Sequence, residues 1–169
     1  LVGHYGTWFD GKSIWYLSEY CSGGSCRQQL DTTGCTVFSE SEIAYVARDM
    51  LRGLVVLHKN GFTHGNISAS AIMISDLRQG RSIVKLRVKN LLKALEASSN
   101  PSHPSMLLRK VYWRAPESQV SPAMDIWSIG ITFIELAEGR PPLWNLPPPK
   151  ARNAIVNGPP PSLRYPTSY

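Results

Sequence analysis

Hydrophobic residues recur every three or four positions in one long central stretch, which predicts an amphipathic α-helix. The predicted helix covers Glu40 to Asn60. Ser39 is a suitable N-cap, and Glu42 three residues later completes a capping box that satisfies two backbone amides. Gly61 stands just past the end, where a left-handed residue commonly closes a helix. The apolar face comprises Ile43, Val46, Ala47, Met50, Leu54 and Leu57.

A second strong helix is predicted nearer the C-terminus. Ser121 is placed to cap it, Pro122 takes the first helical position, and the run ends near Glu138 before Gly139. Its sequence is apolar almost all round, so we expect it to be buried at the centre of the domain. The residues responsible are Ile126, Trp127, Ile129, Gly130, Ile131, Phe133 and Ile134.

Short strands are predicted from aromatic and β-branched runs. Thr7–Phe9 and Ser13–Leu17 flank Asp10–Lys12, whose central glycine suits a hairpin turn. Ala71–Ile74 reads as a short apolar strand. Ser82–Lys89 alternates apolar and basic residues, which is typical of a half-buried strand with one basic face.

The remaining segments predict loops. Cys21–Ser25 is a loop and a polar stretch continues to Gly34, Asp76–Gly80 is a turn, and Leu91–Pro116 is mostly irregular. The proline-rich tail, from Pro141 to Pro161, predicts stiff extended segments. These are either ordinary loops or a ligand for a polyproline-binding domain. Helices and short strands in this order indicate the α+β class.

Composition fits one folded domain. The chain has 169 residues, 43% of them hydrophobic, and a net charge of +6. The most apolar stretch, Ile126–Ala137, is too short to span a membrane and contains Glu135, and no signal peptide is visible. The three cysteines form no CxxC pair, which favours reduced thiols in a cytoplasmic protein, and the histidines lack zinc-ligand spacing. These cysteines are Cys21, Cys26 and Cys35.

The basic excess is concentrated. Six basic residues and no acidic one lie between Arg78 and Lys93, which matches the whole net charge of +6. Within this stretch Lys85, Arg87 and Lys89 alternate with apolar residues. They form either a solvated strand face or a contact surface for an acidic protein partner. Nucleic acid is the weakest alternative, because no nucleic-acid motif accompanies the charges.

Four blocks resemble a protein kinase, in kinase order and at kinase spacing. They are closest to the sterile-twenty or germinal-centre group of serine/threonine kinases. The blocks are the hinge-like Ile14–Ser25, the helix from Glu40 to Gly61, Tyr112–Glu117, and the stretch from Asp125 to Pro142. The resemblance implies a kinase-like fold, mainly the helical C-terminal lobe. Residues 1–20 would be remnant strands and hinge of the N-terminal lobe, and residues 21–169 the C-terminal lobe, incomplete at its end.

Four positions that carry catalysis in that family hold other residues here. Asn66 stands at the catalytic base, Ser68 at the phosphate-contacting lysine, and Ala71 and Val88 at the two metal ligands. Arg109–Val111 stands where the group usually has Gly-Thr-Pro. Because these parts act jointly on one transition state, the resemblance implies severe loss of catalysis.

Other matching positions imply structural or binding roles. His64 and Asp125 would hold the catalytic-loop fold, and Glu117 would lack its arginine partner. The hinge residues Ser18, Glu19 and Cys21 could still hold an adenine.

We therefore expect a non-enzymatic, pseudokinase-like module that scaffolds unidentified protein partners in signalling, without metal, ATP, nucleic acid or membrane. The alternative is a fragment of a serine/threonine kinase with residual ATP binding or phosphotransfer.

Overall fold

The computed structural model describes residues 1–32, 37–78, 81–88, 110–117, 121–164 and 166, with side chains left undescribed at 76–78 and 81–82. An N-terminal hairpin pairs strand β1 (His4–Phe9) with β2 (Ile14–Ser18). Helices α1 (Cys26–Thr32) and α2 (Glu40–Lys59) follow, and then an antiparallel pair of strands, β3 (Ile72–Arg78) and β4 (Arg81–Leu86).

The C-terminal part is helical. Helix α3 (Pro122–Glu138) is followed by α4 (Pro148–Asn157). Two short 3₁₀ turns, Ala69–Ala71 and Val111–Trp113, lie near the N-terminal ends of β3 and α3 respectively. This mixture of helices and small antiparallel sheets confirms the α+β prediction.

The hairpin turn forms as the sequence predicts, because one side chain satisfies its backbone. The Asp10 carboxylate accepts hydrogen bonds from the backbone N–H groups of Lys12 and Ser13 at 2.9 and 2.7 Å, and from the Trp15 indole at 2.7 Å. Gly11 adopts φ +91°, a conformation that glycine reaches without strain. The turn therefore fixes the register in which Trp8 stacks on Trp15.

Helix α2 confirms the predicted capping box and closing glycine. The Ser39 hydroxyl accepts from the Glu42 amide, the Glu42 carboxylate accepts from the Ser39 amide at 2.8 Å, and Gly61 has φ +78°. The apolar face packs between the β3–β4 pair and α3. Its buried residues are Val46, Met50, Gly53, Leu54 and Leu57.

Helix α3 has the predicted bounds but not the predicted uniform burial. Pro122 stands at its start and Gly139, with φ +77°, at its end. Ile126 is 56% exposed, whereas the buried face includes the polar residues Asp125, Thr132 and Glu135. Polar contacts as well as apolar packing therefore hold this helix in the core.

Two helices that were not predicted and two strand ends differ from the predictions. The stretch after Ser25 contains α1, which buries only two side chains one turn apart and so carries a weak periodic signal. The proline-rich tail contains α4, because prolines at its first two positions lack only amides that have no partner inside a helix. Strand β3 continues to Arg78, so residues 76–78 are strand rather than turn, and β4 ends at Leu86.

Candidate active site

Asp125 anchors the loop that the sequence comparison marks as catalytic. This aspartate on α3 is 0% exposed. Its carboxylate accepts hydrogen bonds from the backbone amides of His64 and Gly65, both at 2.8 Å, and lies 2.8 Å from Nε2 of His58 on α2. Gly65 has φ +66°, where a side chain would be strained. One buried carboxylate thus fixes two successive amides of the loop.

His64 is a buried residue with a contact on each ring nitrogen. Its Nδ1 accepts from the Asn66 backbone amide at 3.2 Å. Its Nε2 lies 3.1 Å from the Arg87 carbonyl oxygen, which can only accept, so Nε2 carries the proton. Burial lowers the pKa of His64 below its usual 6.5, although the hydrogen bond to the Arg87 carbonyl oxygen and the charge of Asp125 partly oppose that shift. The His64 ring therefore links its own loop to the segment that follows β4.

Lys110 reaches the same loop from a different segment. Its ammonium nitrogen donates to Oγ of Ser68 at 2.8 Å and lies 3.4 Å from the Asn66 carbonyl oxygen. Ser68 is 2% exposed, and its hydroxyl also lies 2.9 Å from that of Ser70. The structure therefore brings two of the predicted site positions, Asn66 and Ser68, onto one cation from the Arg109–Val111 stretch.

The two predicted metal positions do not fit a magnesium ion. Ala71 is buried and has no side-chain oxygen, and Val88 packs its hydrocarbon side chain against the core. Hard divalent cations need oxygen ligands, which these residues lack. Over the described ranges, no group of three or more His, Cys, Asp or Glu residues is arranged to hold a metal.

Arg87 follows β4 and turns toward the loop. Its guanidinium donates to the Ser70 carbonyl oxygen at 2.7 Å, and its backbone amide donates to the Ala71 carbonyl oxygen at 2.8 Å. Burial lowers the pKa of this guanidinium. The side chain thus ties the end of β4 to the start of β3.

The hinge residues lie between the hairpin and the core. Ser18 ends β2, and the Glu19 backbone amide donates to the Gly3 carbonyl oxygen at 2.8 Å. The Glu19 carboxylate forms an ion pair with Lys85 and accepts from the Gly3 amide, and these contacts lower its pKa. Cys21 is buried, which raises the pKa of its thiol.

The predicted basic face is not a free surface in the part of it that is described. Lys85 is paired with Glu19, and Arg87 donates to Ser70 within the chain. Lys89 lies outside the described residues. The alternation itself is confirmed, because Val84 and Leu86 are 5% and 1% exposed. Partner binding through Lys85, Arg87 and Lys89 stays a prediction.

Glu135 is a second buried carboxylate, and sequence reasoning assigned it no role. It is 1% exposed and accepts from the Ala69 amide at 3.0 Å, the Trp113 indole at 2.9 Å and the Arg27 guanidinium at 3.4 Å. Burial raises its pKa, whereas the three donors oppose that rise. Glu135 therefore joins α1, the loop and the Val111–Trp113 turn. Glu135 lies on the same buried face of α3 as Asp125, and this spacing was the only indication of its role in the sequence.

Glu117 is exposed, so the expected problem of a buried, unpaired carboxylate does not arise. An arginine on α4 instead holds the segment before it. The Arg152 guanidinium donates to the carbonyl oxygens of Ala115 and Pro116 at 2.6 and 2.7 Å. The sequence-based prediction did not include this contact because it did not include α4, the helix that carries Arg152.

A loop held by a buried carboxylate of α3, together with an N-terminal hairpin and a hinge, defines an α+β protein with a kinase-like helical lobe. The chain matches the protein kinase domain over residues 1–159 and belongs to that family. This confirms the predicted resemblance.

Its relatives include serine/threonine kinases of the predicted group. Serine/threonine-protein kinase pakG of Dictyostelium discoideum is 36% identical over the whole chain. Serine/threonine-protein kinase ppk11 of Schizosaccharomyces pombe is 37% identical over 96% of it, and human mitogen-activated protein kinase kinase kinase kinase 3 is 32% identical over 97%. The chain spans only 14%, 51% and 18% of these three proteins, respectively.

The prediction that the chain is not an enzyme is wrong. The proteins it matches over nearly its whole length are serine/threonine protein kinases, and these are enzymes. The error came from treating four substituted positions as decisive.

Within the described ranges, every helix is too short or too polar to span a bilayer.

Proposed function

We propose that this chain forms the hinge and helical lobe of a serine/threonine protein kinase that binds adenine nucleotide and transfers phosphate slowly. The observation that carries the proposal is the clamp of Asp125 on the His64 and Gly65 amides, at 2.8 Å each. Holding these amides preserves the loop on which an acceptor hydroxyl would be positioned.

Positioning alone supplies much of the catalysis of phosphoryl transfer. The transition state is loose, and catalysis rests mainly on alignment and electrostatic stabilisation. The Asn66 amide can hydrogen-bond an acceptor hydroxyl but cannot take its proton, so the proton leaves to water or phosphate. General-base catalysis contributes about 10² to 10⁴ in rate. Loss of the base alone lowers the rate by that factor, and the substitutions at Ser68, Ala71 and Val88 lower it further, so the proposed transfer is slow.

The hinge supplies the proposed adenine site. Glu19 and Cys21 flank the turn from β2 toward α1, and their backbone groups would hydrogen-bond the base. The Glu19–Lys85 ion pair and the buried position of Cys21 support a fixed hinge conformation. Ser18, at the end of β2, would lie behind the adenine.

Restoring the base tests the proposal. We expect Asn66→Asp to raise transfer of labelled phosphate from ATP to a generic serine/threonine acceptor by about 100-fold, because the carboxylate can accept the proton. Asn145→Asp makes the same change at an exposed loop position and should leave the rate unchanged. The reactions are run with magnesium and with EDTA.

Two results would count against the proposal. The first is adenosine and ATP both failing to bind the chain. The second is Asn66→Asp transferring no more phosphate than Asn145→Asp, while binding nucleotide normally and remaining folded.

The earlier scaffolding prediction has no specific support among the described residues. Its basic face is engaged within the chain at Lys85 and Arg87.

A further inference from the structure

A lysine from outside the catalytic loop replaces the charge that the loop has lost. The family resemblance implies a phosphate-contacting lysine at the position of Ser68. In this chain the Lys110 ammonium lies 2.8 Å from the Ser68 hydroxyl oxygen. The cation is therefore present at the loop, although it arrives from the segment before the Val111–Trp113 turn.

The surroundings fix the approach of this ammonium group. It also lies 3.4 Å from the Asn66 carbonyl oxygen, and Ser68 is in turn hydrogen-bonded to Ser70. The 3₁₀ turn that follows Lys110 is anchored by the Trp113 indole on Glu135. Lys110 is thus placed by two neighbouring loop residues and by a buried carboxylate, rather than extending freely into solvent.

Because the site fits magnesium poorly, the charge of the nucleotide phosphates would need another cation, and the Lys110 ammonium is close to the loop. ATP carries several negative charges, and kinases normally neutralise them with metal ions. Ala71 and Val88 offer no side-chain oxygen for a metal. A lysine ammonium is a compact positive charge that binds phosphate oxygens well.

We propose that Lys110 binds the phosphate groups of the nucleotide from the position normally served by the loop lysine, and that this binding does not require a metal. The inference rests on the proposed function, since it assumes that adenine nucleotide occupies the hinge.

The test compares ATP with adenosine. Dissociation constants of both are measured by calorimetry, in EDTA and in magnesium, for the 169-residue chain and for Lys110→Met. We expect the variant to bind ATP about tenfold to 100-fold more weakly, the effect of losing one charge-assisted hydrogen bond, and adenosine equally well. Lys59→Met removes a matched, exposed lysine and should change neither constant.

Two further variants keep the test decisive if Lys110→Met folds poorly. Lys110→Arg retains the charge and should bind ATP within threefold of the parent chain. Ser68→Lys combined with Lys110→Thr returns the lysine to the loop and should restore ATP affinity.

The outcomes separate the two proposals. If neither adenosine nor ATP binds the parent chain, the proposed function fails and this inference with it. If adenosine and ATP bind and folded Lys110 variants retain full ATP affinity, only the role of Lys110 is overturned. If magnesium strengthens ATP binding tenfold or more, the metal-independent part of the inference is wrong.

Discussion

Removal of the Asp125 carboxylate should destabilise the fold severely. In Asp125→Ala the amides of His64 and Gly65 lose their shared acceptor. A buried donor left unsatisfied costs about 1–3 kcal/mol, so two such amides cost about 2–6 kcal/mol. A domain of this size is stable by only about 5–15 kcal/mol, so the variant should approach the limit of folding. Asp125→Asn keeps one acceptor oxygen and should lose about half as much.

Urea unfolding followed by circular dichroism measures the change in the free energy of unfolding. Asp31→Ala is the matched control, because that carboxylate is 54% exposed and forms a surface pair with Arg27. Exposed pairs contribute at most about 1 kcal/mol. Hydrogen exchange of the His64 and Gly65 amides provides a local readout, and both should exchange faster in Asp125→Asn. A free energy of unfolding for Asp125→Ala within 1 kcal/mol of the parent, at unchanged denaturant dependence, would refute the reasoning.

The remaining predictions concern buried titratable groups. The folded state keeps His64 neutral while the unfolded chain takes up a proton below about pH 6.5, so stability present above pH 6.5 is lost as the pH falls. Between pH 7.5 and 5.5 His64 should account for at most about 1.4 kcal/mol of lost unfolding free energy, and His64→Gln, measured by urea unfolding, should lack that part. Burial raises the pKa of Cys26 to about 12. In a Cys21→Ser, Cys35→Ser background, a thiol reagent at pH 8 should therefore label Cys26 only after unfolding, and rapid labelling of the folded chain would contradict this.

The two long helices were predictable because local signals and packing agree. Ser39 and Glu42 cap α2 through their own side chains, and Gly139 closes α3 in the left-handed conformation. A contact between Asp125 and the loop was expected only from the family resemblance, since a lone aspartate in an apolar helix has no partner that its own sequence identifies. Local chemistry therefore predicted the two long helices but neither α1 nor α4.

The other site contacts depend on distant segments, which no local pattern reports. Glu135 meets Arg27 across a sequence separation of 108 residues, and Lys110 meets Ser68 across 42. Position-by-position comparison recorded what was missing at Ser68. It could not record a cation supplied by another segment, because that requires the folded backbone.

Partner binding through Lys85 and Arg87 should be tested with neutral substitutions rather than with charge reversal, because both residues make contacts within the chain. Lys85 pairs with the hinge residue Glu19, and Arg87 holds the Ser70 carbonyl oxygen. Changing both to glutamate would place two carboxylates beside Glu19 and the loop, so lost partner binding would also follow from a displaced hinge. Neutral changes, Lys85→Met and Arg87→Met, avoid like-charge repulsion but still remove those two contacts. A partner surface is therefore supported only if binding falls while adenosine affinity, which reports the hinge, stays unchanged.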